Sequence, residues 1–292
     1  MALRNLLLAV ALAMTALLAV VVWRYPSPGD FLSDNPSWNG MSDFIEEFHA
    51  RPIKSLRDLP PAPADTMLIV VPYERFAQDE LASLDSFLRR GGTLLLMDDY
   101  GYGNEVLSYL GAPVRFSGQP LLDPLYTYRN EQFPRVQNVD ASVQDLADLA
   151  LNHATALADV PAEATLVTSS SFSFLDLDGN GNWDPDDSRG PFPVAARQRV
   201  GDGSLVVVAD PSIVINSMNV GGNYAFIKVM QGERQVLVDE SHLPRDQSVD
   251  LGHAMLKAVR RGLATPIGGV GLVFAVLLPA LWPILRYQGG KR

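Results

Sequence analysis

TMLIVVPYERFAQDELASLDSFLRRGGTLLLMDD, residues 66–99, decides the fold class. Residues 66–72 are almost continuously apolar, the pattern of a strand buried on both faces; a strand with one wet face alternates instead. Within 76–90, Leu81, Leu84, Phe87 and Leu88 recur three or four apart, which puts them on one face of a helix. Gly91-Gly92 ends that helix, and 93–99 is a second apolar run. Strand, helix and strand at this range make a βαβ unit, whose crossover pairs its strands in parallel.

Working outward, Met41, Phe44, Ile45 and Phe48 share a helical face, with Ser42 positioned to cap. Residues 104–110 read as a short helix. The stretch 112–140 is irregular and rich in Pro, Tyr and Gln, and a connection of that length is more often functional than filler. Strands return at 164–175 and 193–209, with Gly201-Asp202-Gly203 marking a hairpin. Asp210-Pro211 starts a helical stretch, 223–231 is a helix, 234–240 a final strand and 249–263 a helix that holds His253. His49 and His153 are also placed on helices. The sum is an α/β domain with a largely parallel sheet and helices on both faces. Ligands of such sheets sit beyond the carboxyl ends of the strands. Those ends carry Pro72-Tyr73-Glu74, Asp98-Asp99-Tyr100, Asp210 and Asp239-Glu240-Ser241-His242.

DNPSWNG (34–40), the run from 69 to 111, GPFPVAA (190–196), LVVVADPSIVIN (205–216) and LVDESH (237–242), in that order, resemble a membrane-anchored family known as domain of unknown function 4350. The resemblance covers residues 30–245. It implies a flavodoxin-like, class I glutamine amidotransferase-like fold, and work in a membrane assembly beside MoxR-type ATPases and other membrane proteins. The amidotransferase nucleophile is a cysteine; this chain has none, so the resemblance implies the fold without that chemistry.

Both ends of the chain are apolar. Residues 6–23 and 265–285 run without a charge, each long enough to cross a bilayer. The expected organisation is a signal anchor at 1–24, an α/β domain at 25–264, a second membrane helix at 265–286 and a basic tail at 287–292. All 33 acidic residues lie between the two apolar runs, against 19 basic ones, a net of −14. A domain so acidic offers no face to nucleic acid. The expectation is a cell-membrane protein with its domain on the exoplasmic side and both termini cytoplasmic.

The candidate chemistry is mostly acidic. Asp98, Asp99, Asp210, Asp239, Glu240 and His242 are the candidate catalytic groups, serving as acid and base if burial separates their pKa values. LVDESH imitates the nucleotide-hydrolase strand, but no phosphate loop accompanies it, so no nucleotide is expected. Candidate ligand contacts are Asn35, Trp38 and Asn39, Tyr73 and Tyr100, and Gly101, Gly103 and Asn104, whose amides open a helix. Trp38 reads either as a stacking platform or as a plug at one end of the sheet. In FLDLDGNGNWDPDDSRG (174–190), Asp176, Asp178, Asn180, Asn182, Asp184 and Asp187 fall at positions one, three, five, seven, nine and twelve of a calcium loop, with Gly181 at six. Asp184-Pro185 is set to begin an exit helix. A lone loop of this kind is a structural calcium staple rather than a sensor. The functional expectation is a non-catalytic binding or assembly module working with membrane or ATPase partners. A hydrolase of envelope glycans or peptides and an accessory transport subunit are the alternatives. The hydrolase reading requires the strand-end acids to converge on one pocket.

Overall fold

The 66–99 stretch forms two strands around one helix in the computed structural model: β2 (Thr66–Val70), α2 (Gln78–Arg89) and β3 (Thr93–Met97). Both strands are buried at every position and pair in parallel, Met67 opposite Thr93 through Val70 opposite Leu96. Leu81, Leu84, Phe87 and Leu88 are the buried face of α2. Each large apolar side chain buried this way contributes about 1.5–3 kcal/mol. Glu80 folds back so that its Oε2 accepts the Ala77 N–H at 2.8 Å, which satisfies a donor at the start of α2.

The structure describes residues 29–243, together with Val20 and Thr265; residues 29–243 fall in one compact unit, Pro28–Pro244. Ahead of β2 lie α1 (Ser42–Glu47) and β1 (Arg51–Ile53). After β3 come α3 (Gly103–Tyr109), β4 (Arg115–Phe116), β5 (Leu121–Leu122), β6 (Arg135–Asn138), β7 (Leu149–Ala150) and β8 (Leu157–Ala158). The chain continues through β9 (Thr165–Thr168), β10 (Phe174–Leu175), β11 (Ser188–Arg189), β12 (Pro193–Val200), β13 (Gly203–Val208), α4 (Asn223–Gln231) and β14 (Gln235–Asp239).

The main sheet has the order β1-β14-β2-β3-β13-β12-β9-β6-β7. Its first five strands are parallel, and the other four pair antiparallel with their neighbours. This corrects the expectation of a largely parallel, flavodoxin-like sheet clothed in helices. A parallel pair requires a long crossover, usually helical, and the chain between α3 and β12 supplies no α-helix. It returns instead through turns and loops, so its strands meet antiparallel. β12 joins β13 at the hairpin that Gly201-Asp202-Gly203 announced.

Only four α-helices occur among residues 29–243. After Asp210 the chain makes two 3-10 turns, Pro211–Val214 and Asn216–Met218, in place of a helix. Ser42 does not cap α1; Met41 precedes the helix and its side chain makes no cap. The short edge strand β1 carries no signal in the sequence, since its three residues are too few to show a period. Among the described residues no helix is long and apolar enough to cross a membrane. The flanking membrane helices expected at 1–24 and 265–286, and the helix expected at 249–263, fall outside the described residues apart from Val20 and Thr265.

Candidate functional site

The acids that the sequence places at strand ends are buried and already engaged. Asp98 follows β3 at 2% exposure; its Oδ1 accepts the N–H groups of Asp99 and Gly101 at 2.9 and 2.7 Å, and its Oδ2 that of Gly103 at 2.7 Å. Burial pushes its pKa up to about 6 against those three bonds. The Gly101 and Gly103 amides, read as an anion cradle, are therefore occupied by the chain's own carboxylate. A Cβ on Gly101 would come within 2.4 Å of the Pro72 carbonyl, so the turn needs glycine. Asn104 bridges to β4, its Nδ2 donating to the Phe116 carbonyl and its Oδ1 accepting the Phe116 N–H, both at 2.9 Å.

Asp99 accepts the Tyr73 hydroxyl at 3.0 Å and the Tyr100 N–H at 2.7 Å through Oδ1. Burial raises its pKa, while these partners and the nearby His153 pull the other way. Asp210, after β13, has no exposed surface. Its Oδ1 accepts the Ser212 N–H and its Oδ2 the Asn152 N–H, each at 2.7 Å, and burial pushes its pKa up to about 7.

A separate group forms beyond β14. His242 Nδ1 lies 2.5 Å from Asp239 Oδ2, and its Nε2 lies 3.3 Å from Glu80 Oε2. Phe76 stacks on the imidazole at 3.7 Å. Burial disfavours the imidazolium, but the hydrogen bond and charge of Asp239, followed by Glu80, outweigh it and raise the His242 pKa. The His242 carbonyl accepts the N–H groups of Tyr73 and Glu74, so this cluster ties β14 to the ends of β2 and α2. Glu240 Oε1 accepts from the Ser33 amide and hydroxyl.

The segment 29–40 sits close by. Phe31 packs on Tyr73 with ring centroids 5.7 Å apart. Asn35 is fully buried, its Nδ2 donating to the Gly29 carbonyl and to Asn39 Oδ1, and Asn216 donates back to the Asn35 and Ser37 carbonyls. Asn35 and Asn39 thus shape their own loop. Trp38 is 68% exposed, so it does not plug the sheet.

Open space lies in two places beside these acids: a concavity of about 730 Å³ between α2 and α3, lined by Arg75, Phe76, Gln78, Asn104 and Glu105, and a cavity of about 360 Å³ against the long connection after α3. Tyr100, Glu131, Gln132, His153, Asp176 and Asn180 supply its polar lining. Tyr100 is half exposed, and burial with the charges of Asp99 and Asp210 pushes its pKa up to about 12, so the hydroxyl stays a donor. His153 stands in a left-handed conformation (φ 53°), uncommon for a non-glycine residue, with its N–H on the Gln132 carbonyl at 2.9 Å. The engaged acids position this lining: Asp99 holds the Tyr100 amide, and Asp210 holds the Asn152 amide next to His153. Of the residues singled out in the sequence, Tyr100, His153, Asp176, Asn180 and Gly181 line the cavity. His153 was expected on a helix and stands in a bend instead; Glu131 and Gln132 went unread individually. Their signal was the long irregular stretch after α3, too irregular to point to particular side chains.

The 176–187 loop forms the remaining wall. Asp176 Oδ1 accepts the N–H groups of Gly179 and Asn180, and its Oδ2 that of Gly181, which adopts φ +74°. Asp187 Oδ1 and Oδ2 accept the N–H groups of Leu177 and Asp184. The exit helix expected at Asp184-Pro185 is absent: the chain turns into β11, which pairs with β10, and β10 pairs with β5. That three-stranded sheet fastens the loop to the long connection after α3. The all-oxygen donor set suits calcium. In this conformation its acids bond to the loop's own amides, and among the described residues no group of three acidic or histidine side chains is arranged around a metal position.

The family model of Domain of unknown function (DUF4350) matches residues 33–228. The chain belongs to that family. No curated protein matches it. Among solved structures, the family member is similar to the mmIFT52 N-terminal domain at 16% identity and a TM-score of 0.43, covering 56% of this chain and 74% of that one. It is also similar to the beta-galactosidase from Bacillus circulans sp. alkalophilus at 14% identity and a TM-score of 0.36, covering 58% of this chain and 23% of that one. Neither likeness carries an activity to this DUF4350 chain.

Proposed function

We propose that this domain is a non-catalytic binding module whose ligand occupies the cavity between Tyr100, His153 and the 176–187 loop. One observation carries the reading. Asp98 and Asp210 spend both carboxylate oxygens on backbone amides, Asp239 and His242 form a separate buried pair, and none of the four lines the cavity. A hydrolase built on these acids needs them free around one pocket. Asn180 is held by Asp178 and Asn182. The rest of the lining suits a neutral polyhydroxylated ligand of the saccharide class: the Tyr100 ring, whose hydroxyl has only a long 3.4 Å bond to the Ala154 carbonyl, the Glu131 carboxylate, the Gln132 amide and the His153 imidazole.

Saturation-transfer NMR of the purified chain with galactose, lactose and cellobiose tests this reading. At least one sugar is expected to bind saturably, with affinity falling roughly 10-fold, or ~1.4 kcal/mol, in Tyr100→Ala. No transfer from any of the three sugars, or equal binding by the variant, defeats it.

The proposal extends to calcium as a staple for the cavity wall, with Asp176, Asp178, Asn180, Asn182, Asp184 and Asp187 as the donors. Isolated loops of this chemistry bind at about 10⁻⁴ to 10⁻³ M. Asp176 is a poor probe because its carboxylate already anchors the turn. Asp178 is the clean one, being exposed and, among the described residues, bonded only to Asn180. Calcium at about 5 mM, well above that range, is expected to raise the melting temperature of the unaltered chain and leave Asp178→Ala unmoved. Equal shifts in the two, or no shift in either, count against the staple.

A further inference from the structure

At the amino ends of the parallel strands, away from the cavity just described, three arginines gather in a chain of net charge −10. Arg197, Arg199 and Arg234 line another concavity of about 310 Å³ with Gln198, Ser204 and a single carboxylate, Asp202. Strand register explains the gathering. Arg197 and Arg199 are two apart on β12 and so share a face; Arg199 lies opposite Ser204 on β13, which lies opposite Thr93 on β3. A Cβ on the next residue back, Gly203, would come within 2.3 Å of the Leu88 carbonyl of α2, so Ser204 and its cross-strand neighbours face away from that helix. Arg234 arrives from the turn between α4 and β14.

These guanidiniums are under-used. Among the described residues the Arg199 guanidinium has no hydrogen bond or ion pair. Among the described residues the Arg234 side chain makes one hydrogen bond, from Nη1 to the Gln231 carbonyl at 3.2 Å, and its Nε is buried without an acceptor. Arg197 donates to the Ser142 hydroxyl at 2.8 Å, with Asp140 at 3.8 Å. Acidic side chains are plentiful in this chain, yet just one lines the concavity. Clustered like charges repel, and a buried donor without an acceptor is costly, so an oxyanion placed among them relieves both.

We infer that the Arg197–Arg199–Arg234 concavity is a binding site for a small ligand carrying a phosphate-type oxyanion, with Ser204 and Gln198 as neutral partners. Guanidinium forks match the oxygens of such a group, and the volume admits the anion with only a small body attached.

Calorimetric titration of the full-length chain with inorganic phosphate and with pyrophosphate, at ionic strength fixed with sodium chloride, tests the site. Saturable binding is expected, stronger for pyrophosphate. Arg199→Gln should weaken it roughly 10-fold, the scale of one charge-assisted hydrogen bond. Arg57→Gln, which removes an exposed arginine paired with Asp79 elsewhere on the surface, should leave it unchanged. Asp202→Asn removes the one carboxylate and should tighten binding several-fold, a gain that misfolding does not mimic. Absence of saturable binding, or an Arg199→Gln response no larger than that of Arg57→Gln, overturns the inference.

Discussion

Replacing Asp210 with alanine is expected to cost about 2–4 kcal/mol of folding stability, measured by urea denaturation. The carboxylate has no exposed surface and accepts the Asn152 and Ser212 N–H groups at 2.7 Å each. Truncation strands both donors, and a stranded buried donor costs roughly 1–3 kcal/mol. Asp210→Asn keeps one acceptor and turns a donor toward the other amide, so its loss falls between those of the wild type and the alanine variant. The ordering separates two roles. A catalytic carboxylate loses function in the asparagine variant with little change in stability. A positioning carboxylate loses stability first, and ligand binding declines with it, because the Asn152 amide fixes the chain beside His153. Equal stability of all three proteins contradicts the positioning role.

That distinction marks how far the sequence can be read. The two apolar runs at 66–70 and 93–97 were legible because strands buried on both faces leave no room for polar residues. Asp98, Asp210 and Asp239 were legible as strand ends for the same reason: each is the first charge after such a run, and Asp99 follows Asp98 directly. Their role was not legible, since a carboxylate facing a ligand and one facing backbone amides have the same letter. In the antiparallel half, the β12–β13 hairpin was legible and β9 lies within the strand expected at 164–175, but β6 and β7 and the pairing order were hidden by strand length. β6 and β7 span four and two residues, too few to show a period, and their partners are set by turns more than by pattern. The calcium-type spacing did locate a tight turn, with Asp176 on the Gly181 amide. The expected exit helix failed because Leu175 and Ser188 pair across β10 and β11, and that pairing draws the chain back into a hairpin.

The same buried acids predict an inverted pH response: the domain should be more stable near pH 5 than near pH 8, by on the order of 3 kcal/mol. Asp98 and Asp210, at about 6 and about 7, hold their protons in the folded state at pH values where the unfolded chain, near the ordinary 3.8, has released them. The folded state thus binds more protons between about pH 4 and 7, and stability falls as pH rises through that window. His242 acts in the same direction. Its folded pKa lies above the ordinary 6.5, so its contribution is complete below 6.5 and is lost as pH rises through the folded value. Glu47, Asp79 and Asp140, lowered by Lys228, Arg57 and Ser142, have the opposite sign. They titrate below about pH 4.5, outside the window. Denaturant melts at half-unit steps from pH 4.5 to 8.5 read the slope, and Asp98→Asn should remove its part below pH 6.5. A stability that climbs from pH 5 to 8 means that the amides around Asp98 and Asp210 outweigh burial, and that both acids are charged throughout.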